Sequence, residues 1–289
     1  MKKFVGAVVA VLSLTAIVGG HLYYDTKLAS ISEEAHNQNL MTTQFNASEP
    51  DKESEEQIDE EQDSNADENT EVGETVEEES LVDLDLLMPG FAEAVTDVRE
   101  TGEELKIAIY ASDVMLDIEG EGQLWPEVID DRLSDLFQDI SYEIAVYSAG
   151  EFNTVELIQS SDFERVVEEE RHLVILESML WNDNGQVNYE QSADYIDQIK
   201  TAFEQAGSEV ITVLSPPAYQ TVNYPVQIDY MSTYAEENDW LIADHWTYWP
   251  DMADESLLAY VDEESRYMTN EGHRVVAHSV LDVLGIDPS

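Results

Sequence analysis

From residue 106 onward, short apolar runs alternate with longer stretches whose apolar residues recur every three to four positions. The run "KIAIY" at 106–110 is followed by "LWPEVIDDRLSDLF" at 124–137, and "YEIAVYS" at 142–148 by "TVELIQS" at 154–160. "HLVILES" at 172–178 precedes "YEQSADYIDQIKTAFEQAG" at 189–207, and "EVITVLS" at 209–215 precedes "QIDYMSTYAEEN" at 227–238. "WLIAD" at 240–244 and a closing helical pattern, "EGHRVVAHSVLDVLG" at 271–285, complete the series. Brief continuous apolar runs suit strands buried on both faces, and the longer periodic segments suit helices. Five such alternations predict a parallel sheet covered by helices on both sides. Ligands of such sheets bind beyond the carboxyl ends of the strands. Chemistry is therefore expected in the turns after Tyr110, Tyr147, Leu176, Leu214 and Ala243.

The first part of the chain reads differently. Two lysines precede "FVGAVVAVLSLTAIVGG" at 4–20, which carries no charge. As a helix this run would reach about 26 Å at about 1.5 Å per residue, enough to enter a hydrocarbon core. His21, Tyr23 and Tyr24 follow it where a small-residue cleavage site would stand. Residues 1–22 are therefore expected to be an uncleaved signal anchor in the cell membrane, with the remainder outside, or a secreted chain if the signal is cleaved. Residues 23–83 have little periodicity and are expected to form a disordered acidic tether, leaving 84–289 as the globular domain.

Charge sharpens this picture. The formal net charge is −52, and from 91 onward 43 acidic residues face 8 lysines and arginines. Such a surface repels nucleic acid and anionic lipid, which are bound through clustered cations. It suits a saline or alkaline exterior, where counterions screen the repulsion. With no cysteine there is neither a disulfide nor a thiol nucleophile.

The five turns carry Ala111-Ser112-Asp113, Ser148-Ala149-Gly150, "ESMLWNDNG", "SPPAY" and Asp244-His245-Trp246. A serine, a glycine amide, an asparagine and a histidine are the parts of acyl transfer, where one group attacks, one takes a proton and others hold an oxyanion. In order, these segments resemble the SGNH (GDSL-like) hydrolases from Lys106 to about Leu284. The segment that starts "KIAIYASDVMLD" is similar to the first block of that family, "YSAGEFNTVEL" to the second, "LVILESMLWNDNG" to the third and "YMTNEGHRVVAHSVL" to the last. The stretches "SPPAY", "DHWTYWPD" and "NEGH" resemble SGNH-like surface proteins of bacilli.

The resemblance implies a flavodoxin-like three-layer α/β/α sandwich with a five-stranded parallel sheet. It also implies hydrolysis of O-acyl or acetyl esters without metal or organic cofactor. Gly150 and Asn182 then stand where the family keeps oxyanion donors. The family Gly-Asp-Ser is not reproduced: one register places Asp113 at the nucleophile, and a one-residue slip places Ser112 there. Tyr267 falls at the catalytic histidine and Glu264 at its aspartate, while His273 suits a capping or packing role.

Two readings stay open. In a rebuilt hydrolase Ser112 attacks and His245 is the base, with Asp244 or Glu264 beside it. In a binding domain Asp113, Glu177 and Asp183 gather with Tyr267 and Trp246 as a polar and aromatic lining for glycan, or the cleft takes a protein partner. A third use of Asp113 and Glu177, as a carboxylate glycosidase or cation site, has less support. Glu177 could instead pair with Arg171 or Arg266.

Overall fold

A computed structural model describes residues 82–118 and 120–288, so the expected anchor and nearly all of the expected tether lie outside the described residues. The element order is α1 (Pro89–Thr101), β1 (Leu105–Ala111), α2 (Asp113–Leu116), α3 (Trp125–Leu136), β2 (Tyr142–Ser148), α4 (Thr154–Ser160), α5 (Glu164–Val167), β3 (Leu173–Glu177), α6 (Leu180–Asp183), α7 (Tyr189–Gln205), β4 (Glu209–Val213), α8 (Tyr224–Glu237), β5 (Leu241–Ala243) and α9 (Asn270–Leu284). All five expected strands and the five expected longer helices form. The sequence pattern had assigned no element to 89–101, which folds as α1 behind a proline in its first turn.

Every strand pair is parallel, in the order β2-β1-β3-β4-β5. This is the flavodoxin-like order, whose direction of winding reverses between β1 and β3 and opens a crevice there. The central strands are buried on both faces, which is why they read as continuous apolar runs. β2, at one edge, alternates instead, with Val146 exposed.

Two apolar layers sandwich the sheet. Ile107, Ile109 and Ala111 of β1 pack with Phe91, Trp125, Ile129 and Val280 on one face. Ala108 and Tyr110 pack with Leu157, Ile196, Phe203 and Ile228 on the other. Helix starts follow from local polar chemistry. Asn153 Oδ1 accepts the Glu156 N–H at 3.0 Å while Glu156 Oε2 accepts the Asn153 N–H at 3.1 Å, a reciprocal cap for α4. At the far end of α9, Gly285 has φ of 78°, and a Cβ there would lie 1.9 Å from the Leu86 carbonyl oxygen, so only glycine fits.

Ile109 is fully buried at the centre of the sheet. Ile109→Ala should lower unfolding stability by about 3 kcal/mol through lost burial and the cavity left behind. The measurement is the urea midpoint at unchanged m-value; a loss under about 1 kcal/mol would mean that the two layers do not close on this strand.

Candidate active site

The carboxyl ends of β1, β3 and β4 are joined through one carboxylate. Glu177, the last residue of β3, is 1% exposed. Its Oε2 accepts the Ser112 N–H at 2.7 Å and its Oε1 accepts the Ser215 hydroxyl at 2.6 Å. Burial pushes this carboxyl above the ordinary range, against the pull of the Ser112 and Ser215 donors. The next turn is tight: Met179 is fully buried with φ of 55°, a left-handed conformation that costs a non-glycine residue about 1 kcal/mol or more. Glu177 therefore does not line a cleft, and it pairs with neither Arg171 nor Arg266. Arg171 is held by Glu143 and Glu169.

Ser112 lies between β1 and α2, fully buried, and its Oγ makes no hydrogen bond to a described residue. His245 is equally buried. Its Nδ1 accepts the Trp249 indole N–H at 2.7 Å, which leaves Nε2 to carry the proton and donate to the Leu214 carbonyl at 2.7 Å. Both nitrogens are spent, and burial brings its pKa down to about 4. The expected pairing of Ser112 with His245 therefore does not form. Asp244 is turned to the Trp246 N–H, which it accepts at 3.0 Å, and Glu264 is exposed. His273 is also neutral-biased, its pKa lowered to about 4 by burial; its Nδ1 accepts the Trp125 N–H at 3.3 Å and its Nε2 meets the Asp117 carbonyl at 3.1 Å.

A different serine occupies the crevice. Ser148 closes β2, directly beside Ala111 in the parallel register, and is exposed. Its hydroxyl donates to Asp113 Oδ1 at 2.5 Å, and the Gly150 N–H donates to the same Ser148 oxygen at 2.8 Å. Gly150 has φ of 61°, which bends the β2–α4 loop back over Asp113, whose own N–H donates to the Gly150 carbonyl at 3.1 Å. Asn182 Nδ2 donates to the Phe152 carbonyl at 3.0 Å and lies 3.4 Å from the Gly150 carbonyl, fixing that loop from the other side. Tyr267 joins this group. Its phenol is pushed above the usual range by Asp117 first, then by burial and Asp113.

Two of the expected lining residues stand elsewhere. Asp183 is fully buried and accepts the Thr154 N–H and hydroxyl, each at 2.8 Å, so it anchors α4 and does not face a ligand. Trp246 is half-buried, donates its indole N–H to the Ser215 carbonyl at 3.0 Å and packs on Tyr224. Among the described residues, no three His, Asp or Glu side chains gather as a metal site. Of the turn Ser148-Ala149-Gly150, only Gly150 is an expected site residue from sequence. The usable signal was the parallel register, which sets position 148 beside 111.

Beside the crevice, Trp181, Tyr219, Gln220, Thr221, Glu263 and Arg266 line a cleft of about 370 Å³. It is built by the turns after β3 and β4 and the loop before α9.

The fold is similar to that of solved ester hydrolases. A catalytic mutant of an acetylxylan esterase from Geobacillus stearothermophilus superposes with a TM-score of 0.52, covering 64% of this chain and 95% of that one at 12% identity. The chain has the SGNH hydrolase fold. A lipase/acylhydrolase from Enterococcus faecalis gives a TM-score of 0.50 over 64% and 98% of the two chains at 8% identity. A lipolytic protein of the G-D-S-L family from Desulfitobacterium hafniense is 21% identical over 62% of this chain and 99% of that one, at a TM-score of 0.49. No family profile matches the chain, and no curated protein does. Within this fold, Ser148 and Asp113 form the solvent-facing serine–carboxylate pair at the strand ends.

Glu177 gives a first test. A raised carboxyl binds its proton more tightly in the folded state, so this group works against stability as pH rises above its ordinary value of 4.5. Glu177→Gln keeps an acceptor for Ser112 N–H and a partner for Ser215, and it should gain on the unchanged protein between pH 5 and pH 8. Glu177→Ala orphans both donors and should lose about 3 kcal/mol. Equal losses in both variants, by chemical denaturation, would refute the bridging role.

His245 works with the opposite sign. Its folded pKa of about 4 lies below the ordinary 6.5, so the unfolded chain binds more protons between those values. Stability is then fully present above pH 6.5 and declines as pH falls towards 4, by up to about 1.4 kcal/mol per pH unit. His245→Gln should have the shallower acid slope in urea titrations at pH 7.5, 6 and 5. An unchanged slope would show that the imidazole is not held neutral.

Proposed function

We propose that the domain is an ester hydrolase acting on O-acyl or acetyl esters of surface or environmental glycans, with Ser148 as nucleophile and Asp113 as its base. The observation that carries this reading is the 2.5 Å hydrogen bond from the Ser148 hydroxyl to Asp113 Oδ1 at the carboxyl ends of β1 and β2. The other serine–carboxylate pair at these strand ends, Ser215 with Glu177, is sealed from solvent. No histidine of the described residues bonds a serine hydroxyl, so proton transfer falls to the carboxylate.

The chemistry balances with those two groups. Ser148 Oγ attacks the acyl carbon while its proton passes to Asp113. The carbonyl oxygen becomes an oxyanion, and the Gly150 N–H, relieved of an oxygen that is now an ester, turns to it. Asp113 returns the proton to the departing sugar oxygen. Water then attacks the acyl-serine with Asp113 taking its proton, and the acid leaves as Ser148 is restored. Asn182 is a positioning residue that holds the loop.

Esters are favoured as the substrate class because two of the solved neighbours described above are, by name, an acetylxylan esterase and a lipase/acylhydrolase. The uncharged run at 4–20 behind two lysines, and the acidity of the whole chain, support a membrane-anchored extracellular domain. A second reading is glycan binding without turnover. It is favoured by the Asp113 N–H and the Asn182 amide, which are both spent on loop carbonyls and not left for an oxyanion.

The test is hydrolysis of p-nitrophenyl acetate and acetylated xylo-oligosaccharides by the full chain. Ser148→Ala and Asp113→Asn should each lower kcat/KM by roughly 10²-fold or more, with Ser112→Ala near the unchanged rate. Equal rates for the unchanged protein and Ser148→Ala would overturn the assignment. Binding of the oligosaccharide with no turnover would establish the second reading.

A further inference from the structure

In a domain this acidic, most cations are occupied. Arg99, Arg165, Arg171, Lys200 and Arg274 each hold a carboxylate. Arg266 forms no ion pair among the described residues, although it is surrounded by a strongly negative surface. Its backbone sits at φ of 70°, a conformation that costs a non-glycine residue energy and recurs at ligand clamps. Only one contact of its guanidinium is fixed, from Nη1 to the Tyr219 carbonyl at 3.1 Å. That bond lays the head group along the cleft of about 370 Å³, a volume in the range of small-molecule sites.

The rest of the lining is of a second chemical kind. Half-buried Trp181 offers aromatic surface and is braced edge-on by Tyr224 at 5.4 Å between ring centroids, while Tyr219 is largely buried behind the lining. Gln220, also left-handed at φ of 58°, presents its exposed amide at the rim. Glu263 stands on the same rim as a pure acceptor. A flat guanidinium with free donors matches a carboxylate bidentately. Aromatic faces match the apolar face of a pyranose ring, and Glu263 and Gln220 match its hydroxyl groups.

We propose that this cleft is a subsite for a uronic acid residue, the carboxylate on Arg266, the ring against Trp181 and the hydroxyls on Glu263 and Gln220. The ligand class rests on the glycan reading above but not on turnover. The site would make the domain prefer acidic over neutral polysaccharide despite its own negative charge. That long-range repulsion acts on every approach of an anion, so the preference is expected where salt screens it and the short contact survives.

The experiment is titration calorimetry of the full chain in 0.5 M NaCl with trigalacturonate, its methyl ester, and neutral galactotriose. The acid should bind about tenfold or more tighter than the ester and the neutral sugar. Arg266→Gln should erase that preference, with Arg266→Lys restoring part of it, and Trp181→Ala should weaken all three ligands. Arg266→Gln should also hydrolyse p-nitrophenyl acetate as the unchanged protein does, which separates this site from the Ser148 centre. Equal affinity for acid and neutral sugar, no binding of any of the three, or an acid preference that persists in Arg266→Gln would each overturn the proposal. A failure of ester hydrolysis with the acid preference intact would remove the turnover reading and leave this subsite standing.

Discussion

One buried carboxylate decides the geometry of the crevice. Glu177 takes a backbone donor from the end of β1 and a hydroxyl donor from the turn after β4. Three strand ends are thereby drawn to one point where a doubly wound sheet would otherwise splay. A buried donor or acceptor left without a partner is heavily penalised, so the three groups hold one another in place. The local backbone is thus over-determined, which is what lets Met179 keep its left-handed turn. The same contact removes Ser112 from chemistry: its amide is tied to Glu177 and its side chain is packed inside.

The crevice then divides into a dry half and a wet half. On the dry side His245 is clamped between Trp249 and the Leu214 carbonyl, and its role is to join β5 to the turn after β4. On the wet side Ser148, Asp113 and Tyr267 face solvent with Asp117 close by. Chemistry requires groups that can exchange protons with a ligand, and only the second set meets that condition.

The sheet was legible because its signal is local and repeated. Runs such as "HLVILES" are apolar without interruption, a pattern that few structures other than a doubly covered strand produce. The helices declared themselves by the spacing of their apolar residues. Site geometry was less legible because it depends on direction and not on address. His245 does follow β5 as expected, but whether a ring turns inward is set by Trp249, four residues on, and by a carbonyl 31 positions earlier. Asp183 is expected to line the cleft with Asp113 and Glu177, yet Thr154 draws it into the core. Asp113 and Tyr267 do lie at the carboxyl ends of the strands, each next to the start of a helix.

Ser148 ends an edge strand, and this has a geometric consequence. Neighbouring strands lie about 4.8 Å apart, so a reacting hydroxyl on β2 is displaced sideways by about that distance from one on β1. The acyl group would enter from the open flank of the sheet, over exposed Val146 and Phe152, and not from above its centre. A transition-state mimic shaped for a centrally placed serine would present its tetrahedral atom one strand too far inward. Inhibitor shape therefore reads out which strand carries the attacking oxygen.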